Sequence, residues 1–387
     1  MSSASSYTLV VPTFNRPGQL RQLLGYLARS GFRDRILVLD ASKPANFDAN
    51  AESIAEARLD SEHVRYEPTI APARKIVDGL QKVLTPYCSF CADDDLIFVE
   101  GIAVCIAKLD ANSSLAGAHG LYLNFSEANQ RYRILNTVYD APTVAHDNPL
   151  GRLAAHMQNY QAMFYALYRT PVLLSSITAA AEMQNYLSHE LLQAALAVVA
   201  GGIARVDSFF YARSTGPSQV RKDWHPLEMT AKNALLLFEH YEAYHDAVVA
   251  ALMVQPVIKE RYHVEQVRQI VDLIHLRYLI PILPLSTLDL IIDESIAGQS
   301  GNDIAARIEA SWHVEPQERR QLRFSGRELP VHTLPDADYE VDDGASDQSR
   351  FLIFNHSFLS QTLAGGRRIG WGDVDLIARN FRTYAAI

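Results

Sequence analysis

A chain of 387 residues, 48% of them apolar, is long enough for more than one folded unit and for a sizeable core. Its 35 basic and 44 acidic residues leave a net charge of −9, and no stretch gathers enough Lys and Arg to neutralise a phosphate backbone, which excludes nucleic acid as a partner. No apolar run is long enough to span a bilayer: Leu191–Ala204 contains Gly201-Gly202 and stops at Arg205, and Leu279–Ile292 is broken by Pro281, Pro284 and Asp289.

In chain order, Tyr7–Val11 is a short β-rich run ending at Pro12, and Pro17–Arg29 carries Leu20, Leu23, Leu24 and Leu27 at helical spacing. Ile36–Leu39 reads as a second buried strand, closed by Asp40-Ala41-Ser42. A short helix is predicted over Glu52–Arg58, a third strand over His63–Tyr66, and a helix over Ala73–Leu84 with Ile76, Val77, Leu80 and Val83 inward. Tyr87–Ala92 is a fourth strand that runs into Asp93-Asp94-Asp95, before a helix over Gly101–Leu109. Cys88 and Cys91 fall three apart on that strand, so they point to opposite faces and read as core residues, not as a zinc or redox pair. Strand-like segments follow over Gly117–Phe125, Ala162–Tyr168 and Ile203–Tyr211, with a helix over Leu187–Ala200 between the last two. Leu227–Met253 and Val264–Leu279 are helical. The expected units are therefore 1–225, a helical module over 226–311, and a mixed extension over 312–387 whose role the sequence does not disclose.

Alternating strands and helices imply a mostly parallel sheet covered on both faces, with ligands bound beyond the carboxyl ends of the strands. The polar clusters sit at those ends: Thr13-Phe14-Asn15-Arg16, then Asp40, then Asp93-Asp94-Asp95. Three strand ends thereby converge on one crevice. Three adjacent carboxylates repel one another, which favours a cation or heavy solvation, and their hard oxygens suit Mg²⁺ or Mn²⁺ completed by water and substrate phosphates. The alternative is a solvated acidic turn.

Four segments together carry a family resemblance. Val10–Pro17 resembles the opening motif of family 2 glycosyltransferases, and Leu37–Ser42 their second strand. Ala71–Leu80 is similar to the helix before their metal motif, and Ser89–Asp95 to the strand that carries Asp-x-Asp. The resemblance covers roughly residues 7 to 110 and implies a GT-A fold, a Rossmann-like α/β sheet, joined here to a C-terminal, mainly helical module. It implies a nucleoside-diphosphate sugar as donor, Mg²⁺ or Mn²⁺ as cofactor, and transfer with inversion. Thr13, Asn15 and Arg16 would then cradle the nucleoside, and Asp40 would accept from its base. Asp93 and Asp94 would line the donor site, Asp93 near the ribose, while Asp95 with Asp93 would ligate the metal. Arg74 would lie near the pyrophosphate, although Lys75 stands where the family commonly has Asn.

Inversion needs a base opposite the leaving group. The matching place is Ser188-His189-Glu190-Leu191-Leu192, which gives Glu190 that role, although the family's acidic pair is reduced here to one Glu beside His189. His189-Glu190 also imitates the start of a zinc-protease motif, which fails because Gln193 stands where the second His belongs. The segment Tyr211–His225 combines small residues with Arg221, Lys222 and His225, suiting a lid over a diphosphate, with His225 a candidate metal ligand. His240 and His245 read as surface or packing residues.

A nucleotidyltransferase would need a Gly-rich basic loop after the first strand, which Pro12–Pro17 does not provide. A non-catalytic nucleotide- or glycan-binding scaffold stays compatible with the single Glu190. The acceptor class is open between a glycan and a lipid-linked sugar. The helical half is compatible with peripheral membrane contact and with a homodimer. Met1–Ser6 lacks the basic and apolar regions of a signal peptide, and three cysteines suit a reducing compartment, so the expected location is the cytoplasm.

Overall fold

The computed structural model describes residues 5–128, 131–158, 160–183, 186–215, 234–282, 293, 296–298, 303, 320–324, 327–341 and 352–386. Strand β1 (Tyr7–Thr13) alternates Leu9 and Val11 into one core and Val10 into another, the signature of a strand buried on both faces. Helix α1 (Pro17–Arg29) opens with Pro at its first position and buries Leu20, Leu23, Leu24, Tyr26 and Leu27, extending the predicted stripe by one tyrosine. Then come β2 (Arg35–Asp40), α2 (Pro44–Ala57), β3 (Ser61–Arg65), α3 (Pro72–Leu80) and β4 (Tyr87–Phe90). Helix α2 begins eight residues before the predicted Glu52, because Pro44 can serve as its first residue. Strands β3, β2, β1 and β4 lie side by side and parallel, and Thr13 pairs with Asp40 in register.

The expectation of a mostly parallel sheet holds for these four strands and needs correction beyond them. After β5 (Leu96–Ile97) and α4 (Val99–Asp110), strands β6 (Leu115–Ala128) and β7 (Arg131–Tyr139) pair antiparallel, needing no crossover helix between them. Next come α5 (Pro149–Gln158), β8 (Leu167–Arg169), α6 (Thr170–Ala180), α7 (Tyr186–Ala200) and β9 (Gly202–Ser214). Strand β8 is antiparallel to both β4 and β6, whereas β9 runs parallel to β6 and antiparallel to β5. The predicted strand over Ala162–Tyr168 is reduced to the three residues of β8. Cys88 and Cys91 are buried in different cores, as their spacing requires.

Past residue 233, helices α8 (Ala234–Met253) and α9 (Val264–Ile282) pack on each other and on the sheet's α5–α7 side. His240 and His245 are buried there, in packing roles. Tyr244, Val248, Val267, Val271 and Tyr278 share one core with Val10, Leu37, Leu39 and Phe90 of the sheet. The C-terminal segment adds β10 (Gln321–Phe324), β11 (Asp338–Val341) and β12 (Leu352–Phe354) to the same sheet, with β12 parallel to β7. Helix α10 (Trp371–Ala385) covers the opposite face, where the Tyr26 hydroxyl donates to Asn380 Oδ1 at 2.6 Å and Phe381 meets Phe125 edge-on at 5.0 Å. Among the described residues no helix is long and apolar enough to cross a membrane.

Candidate active site

The parallel register brings the carboxyl ends of β1, β2 and β4 to one edge, and the first side chains beyond them meet there. Thr13 Oγ1 donates to Asp93 Oδ2 at 2.6 Å, and one Arg16 nitrogen donates to Asp93 Oδ1 at 3.2 Å and to Asp94 Oδ2 at 2.6 Å. Asn15 takes a left-handed φ of 56°, which Asn tolerates better than most residues. That turn aims its backbone N–H at Ser42 Oγ, 2.8 Å away, while its side-chain oxygen accepts from Lys43 N and Asn46 Nδ2. The loop after β1 is thus tied to the start of α2.

Asp40 is fully buried. Its Oδ1 accepts from Ser42 N at 2.7 Å, and its Oδ2 from Asn50 Nδ2 at 2.7 Å with His63 Nε2 at 3.0 Å. Burial alone would raise its pKa, but the hydrogen bonds from His63, Ser42 and Asn50 hold it below the ordinary carboxylate value. His63 in turn stacks on Phe47, with ring centroids 4.3 Å apart. Both Asp40 oxygens are therefore engaged inside the protein, at the spot where the family resemblance implies a base contact. On α3 the exposed residue is Arg74, while Lys75 is buried and donates from Nζ to Thr13 O at 3.0 Å. Burial lowers the Lys75 ammonium, and the charges of Asp40 and Asp93 oppose that shift.

Asp95 turns the other way, toward β9. The Tyr211 hydroxyl donates to its Oδ2 at 2.7 Å and Ser214 N to its Oδ1 at 2.8 Å, while Tyr211 also accepts from Ala92 N. Burial pushes Asp93 up to about 6, with Thr13 and Arg16 opposing, and pushes Asp95 up to about 7, with repulsion from Asp94 adding to it. Among the described residues no group of three or more His, Cys, Asp or Glu could hold a metal ion by itself. The donor set fits the other mode of binding: one or two hard carboxylates whose charge is incompletely balanced, with substrate phosphates and water completing a Mg²⁺ or Mn²⁺ shell. Asp93 and Asp95, the expected ligands, would each have to exchange a bond within the protein for the ion, since Asp93 accepts from Thr13 and Arg16 and Asp95 from Tyr211 and Ser214. His225, Arg221 and Lys222 lie outside the described residues.

Glu190 is the fifth residue of α7, just past its first turn. Its Oε2 is buried and has no hydrogen-bond partner, and burial pushes the carboxyl up to about 7 against the pull of Arg213. Arg213, near the end of β9, lies within electrostatic reach of both Asp95 and Glu190. Tyr139, Tyr160 and Tyr278 stand around Glu190. Sequence reasoning passed over Tyr211, Ser214, Arg213 and Lys75. The first three lie on the predicted last strand or just past it, where period-two alternation marks which side chains turn inward. Lys75 was visible only as a departure from the family pattern.

Residues 8–169 match the family model described as Glycosyl transferase family 2. No curated protein matches the chain. Among solved structures, S. aureus TarS is 16% identical over 70% of this chain and 43% of that one, with a TM-score of 0.45. This chain therefore spans less than half of that protein's length. A complex of S. aureus TarS 1-349 with UDP-GlcNAc is 14% identical over 76% of this chain and 92% of that one, with a TM-score of 0.44. A mannosyltransferase from Pyrobaculum calidifontis, in complex with GDP-Man and Mn²⁺, is 11% identical over 81% of this chain and 89% of that one, with a TM-score of 0.40. The family match runs from β1 to β8, covering the four parallel strands, their crossover helices and the antiparallel β6, β7 and β8, and the α/β fold is of the GT-A type.

Proposed function

We propose that this chain, whose residues 8–169 belong to glycosyl transferase family 2, moves a sugar from a nucleoside diphosphate to an acceptor hydroxyl with inversion at the anomeric carbon. The observation that carries the reading is the pairing of an acidic cluster at the strand ends with Glu190, whose Oε2 is buried and unpartnered, Arg213 lying within electrostatic reach of both Asp95 and Glu190. Thr13, Asn15, Arg16 and Asp94 would shape the donor side of the crevice, and Arg74, exposed on α3, would serve the pyrophosphate. Asp40 supports that side by fixing Ser42 and His63.

In the transfer, Glu190 takes the proton of the acceptor hydroxyl. The acceptor oxygen forms its bond to the anomeric carbon as the bond from that carbon to the diphosphate oxygen breaks, and the nucleoside diphosphate leaves with the electron pair. A carboxyl held near neutrality by burial is well matched to this task, since it is ionised at cellular pH yet binds a proton readily. A Mg²⁺ or Mn²⁺ ion held by Asp93 and Asp95 would supply stabilisation of the charge that develops on the diphosphate. Arg213 lies where it can offset charge near both Asp95 and Glu190. The three cysteines, all buried and free, fit the reducing cytoplasm as the site of this activity.

A second reading is a nucleotide- or glycan-binding scaffold without catalysis. It is favoured by the replacement of an acidic pair with His189-Glu190. Calorimetric titration of UDP, GDP, CDP and dTDP, each with and without Mn²⁺, tests both. Metal-dependent binding of one nucleotide, lost in Asp95→Ala, is expected. Absence of metal-dependent binding to all four would overturn the transferase reading and leave the scaffold.

A further inference from the structure

Of the three adjacent aspartates, Asp93 and Asp94 are held by the loop after β1, whereas Asp95 is held by Tyr211 of β9, 116 residues later. The Tyr211 hydroxyl closes the turn that carries them. It accepts from Ala92 N at 3.1 Å and donates to Asp95 Oδ2 at 2.7 Å, while Asp95 N donates to Ala92 O at 3.2 Å across the same turn. A phenol has one proton, and with the Ala92 N–H aimed at its oxygen that proton goes to Asp95. The ring is itself fixed. Tyr211 is fully buried, Tyr165 stacks on it with centroids 4.6 Å and planes 19° apart, and Ile97, just beyond the turn, pairs with it in register.

We propose that Tyr211 is a positioning residue for the divalent ion: by holding Asp95 Oδ2 it sets the carboxylate so that Oδ1 is the oxygen left to meet Mg²⁺ or Mn²⁺. The proposal rests on the metal-dependent transferase reading given above. Neighbouring carboxylates repel one another, so an untethered Asp95 would turn away from Asp93 and Asp94. The two bonds that Asp95 accepts are not equivalent. A Tyr211 hydroxyl released from Oδ2 would be a buried donor without a partner, which carries the full cost of its desolvation. Ser214 N, the donor to Oδ1, stands at the end of β9 between Arg213 and Thr215, both exposed, where water can accept in place of the carboxylate. The ion therefore exchanges for the Ser214 bond, and Tyr211 keeps its own. Tyr211 lies outside residues 8–169, so a strand beyond the family 2 segment completes the acidic turn.

The test titrates the full chain calorimetrically with the nucleoside diphosphate that wild type binds, chosen from UDP, GDP, CDP and dTDP, at a graded series of Mn²⁺ concentrations. Tyr211→Phe should raise the Mn²⁺ concentration needed for half of the metal effect about 10–100-fold, the usual result of removing a hydrogen-bond partner from a metal ligand, with metal-free nucleotide affinity unchanged. Tyr122→Phe is the control. Its ring lies 5.3 Å from that of Tyr211 and its hydroxyl is buried without a partner, so it should match wild type in both readings. An unchanged Mn²⁺ requirement in Tyr211→Phe would overturn the proposal, as would an equal rise in Tyr122→Phe. A matching loss of metal-free nucleotide binding would also overturn it, because that marks a merely structural role. Should Tyr211→Phe fail to fold, Tyr165→Leu carries the test, since it removes the stacked ring and leaves both Tyr211 bonds able to form. It should raise the Mn²⁺ requirement several-fold, and equality with wild type would sink the proposal. If no nucleoside diphosphate binds wild type, or binding ignores Mn²⁺, the metal-dependent reading itself fails, a result distinct from metal-dependent binding that Tyr211→Phe leaves untouched.

Discussion

Glu190→Gln should make the protein more stable above neutral pH while stopping turnover. Burial lifts this carboxyl from its ordinary 4.5 to about 7, and no donor reaches Oε2 to favour the ionised form. Its folded value thus lies above its unfolded one. The stability it contributes is fully present below about pH 4.5 and is lost as pH rises to about 7, because the unfolded chain releases the proton first. A shift of this size corresponds to ~3 kcal/mol at 1.36 kcal/mol per unit, and solvent reaching this partly exposed residue reduces that to ~1–2 kcal/mol. Gln has no proton to lose, so the stability gained by the variant over wild type should grow by that amount between about pH 5 and about pH 8. Urea melts of both proteins at the two pH values measure it. The same substitution removes the base, so kcat should fall about 10²–10⁴-fold with nucleotide affinity kept. A stability difference identical at the two pH values would refute the burial argument, and surviving turnover would refute the base.

Gly120 lies where β6 presses on β9, and a Cβ there would stand 2.2 Å from Ser208 O and 2.7 Å from Phe210 Cβ. Gly120→Ala should therefore cost about 1–3 kcal/mol in urea unfolding, since a backbone oxygen cannot move aside as a flexible side chain can. Thr13→Val removes the 2.6 Å donor to Asp93 and should destabilise the protein by about 1.5–3 kcal/mol, the usual worth of a hydrogen bond to a charged group. Calorimetry on the same variant should show weaker nucleotide binding. Cys88, Cys91 and Cys105 are buried, and burial raises all three thiols, Cys88 to about 12. A thiol reagent such as DTNB should therefore label none of them in the native protein and all three in urea.

The part of the fold most legible in the sequence is the part held by local pattern. Leu20, Leu23, Leu24 and Leu27 mark α1 and its buried face, and the apolar runs of β1, β2 and β4 sit where they were expected. What the sequence conceals is pairing across long separations. Nothing around Leu352–Phe354 announces that it lies beside β7, more than 200 residues earlier, nor does Asn380 announce its bond to Tyr26. The antiparallel turn of the sheet is hidden for the same reason, because Leu115–Ala128 reads only as β-rich and its partners are not local.

The site shows the same division. Thr13, Arg16, Asp93 and Asp94 come together as strand-end logic requires, since parallel register places them on one edge. Arg74 and Lys75 illustrate the limit. Adjacent on one helix, they differ by about 100° in direction, and the structure turns Lys75 under Thr13 and Arg74 toward solvent. Motif matching singled out the arginine, and it did not disclose that the neighbouring lysine is the buried cation within electrostatic reach of Asp40 and Asp93. Tyr211, whose hydroxyl fixes Asp95, required knowing that β9 passes beside the Asp-x-Asp turn.

The balance between a transferase and a scaffold rests on what the buried carboxylates do to the fold. A protein that only bound partners would lose nothing by carrying Gln at 190, and on the present argument would gain stability at neutral pH. Glu190 is instead a group that the fold buries at a cost, with Oε2 left unpaired and with Arg213 as the cation that offsets its charge among the described residues. Structures that hold an unsatisfied ionisable group in a recess do so where chemistry uses it, because the same burial that weakens the fold brings the proton affinity to the working pH. Asp95, also within electrostatic reach of Arg213, is buried and likewise lifted toward neutrality. Under the proposed transfer, Asp95 would serve the diphosphate of the donor and Glu190 the hydroxyl of the acceptor, with Arg213 offsetting charge near both.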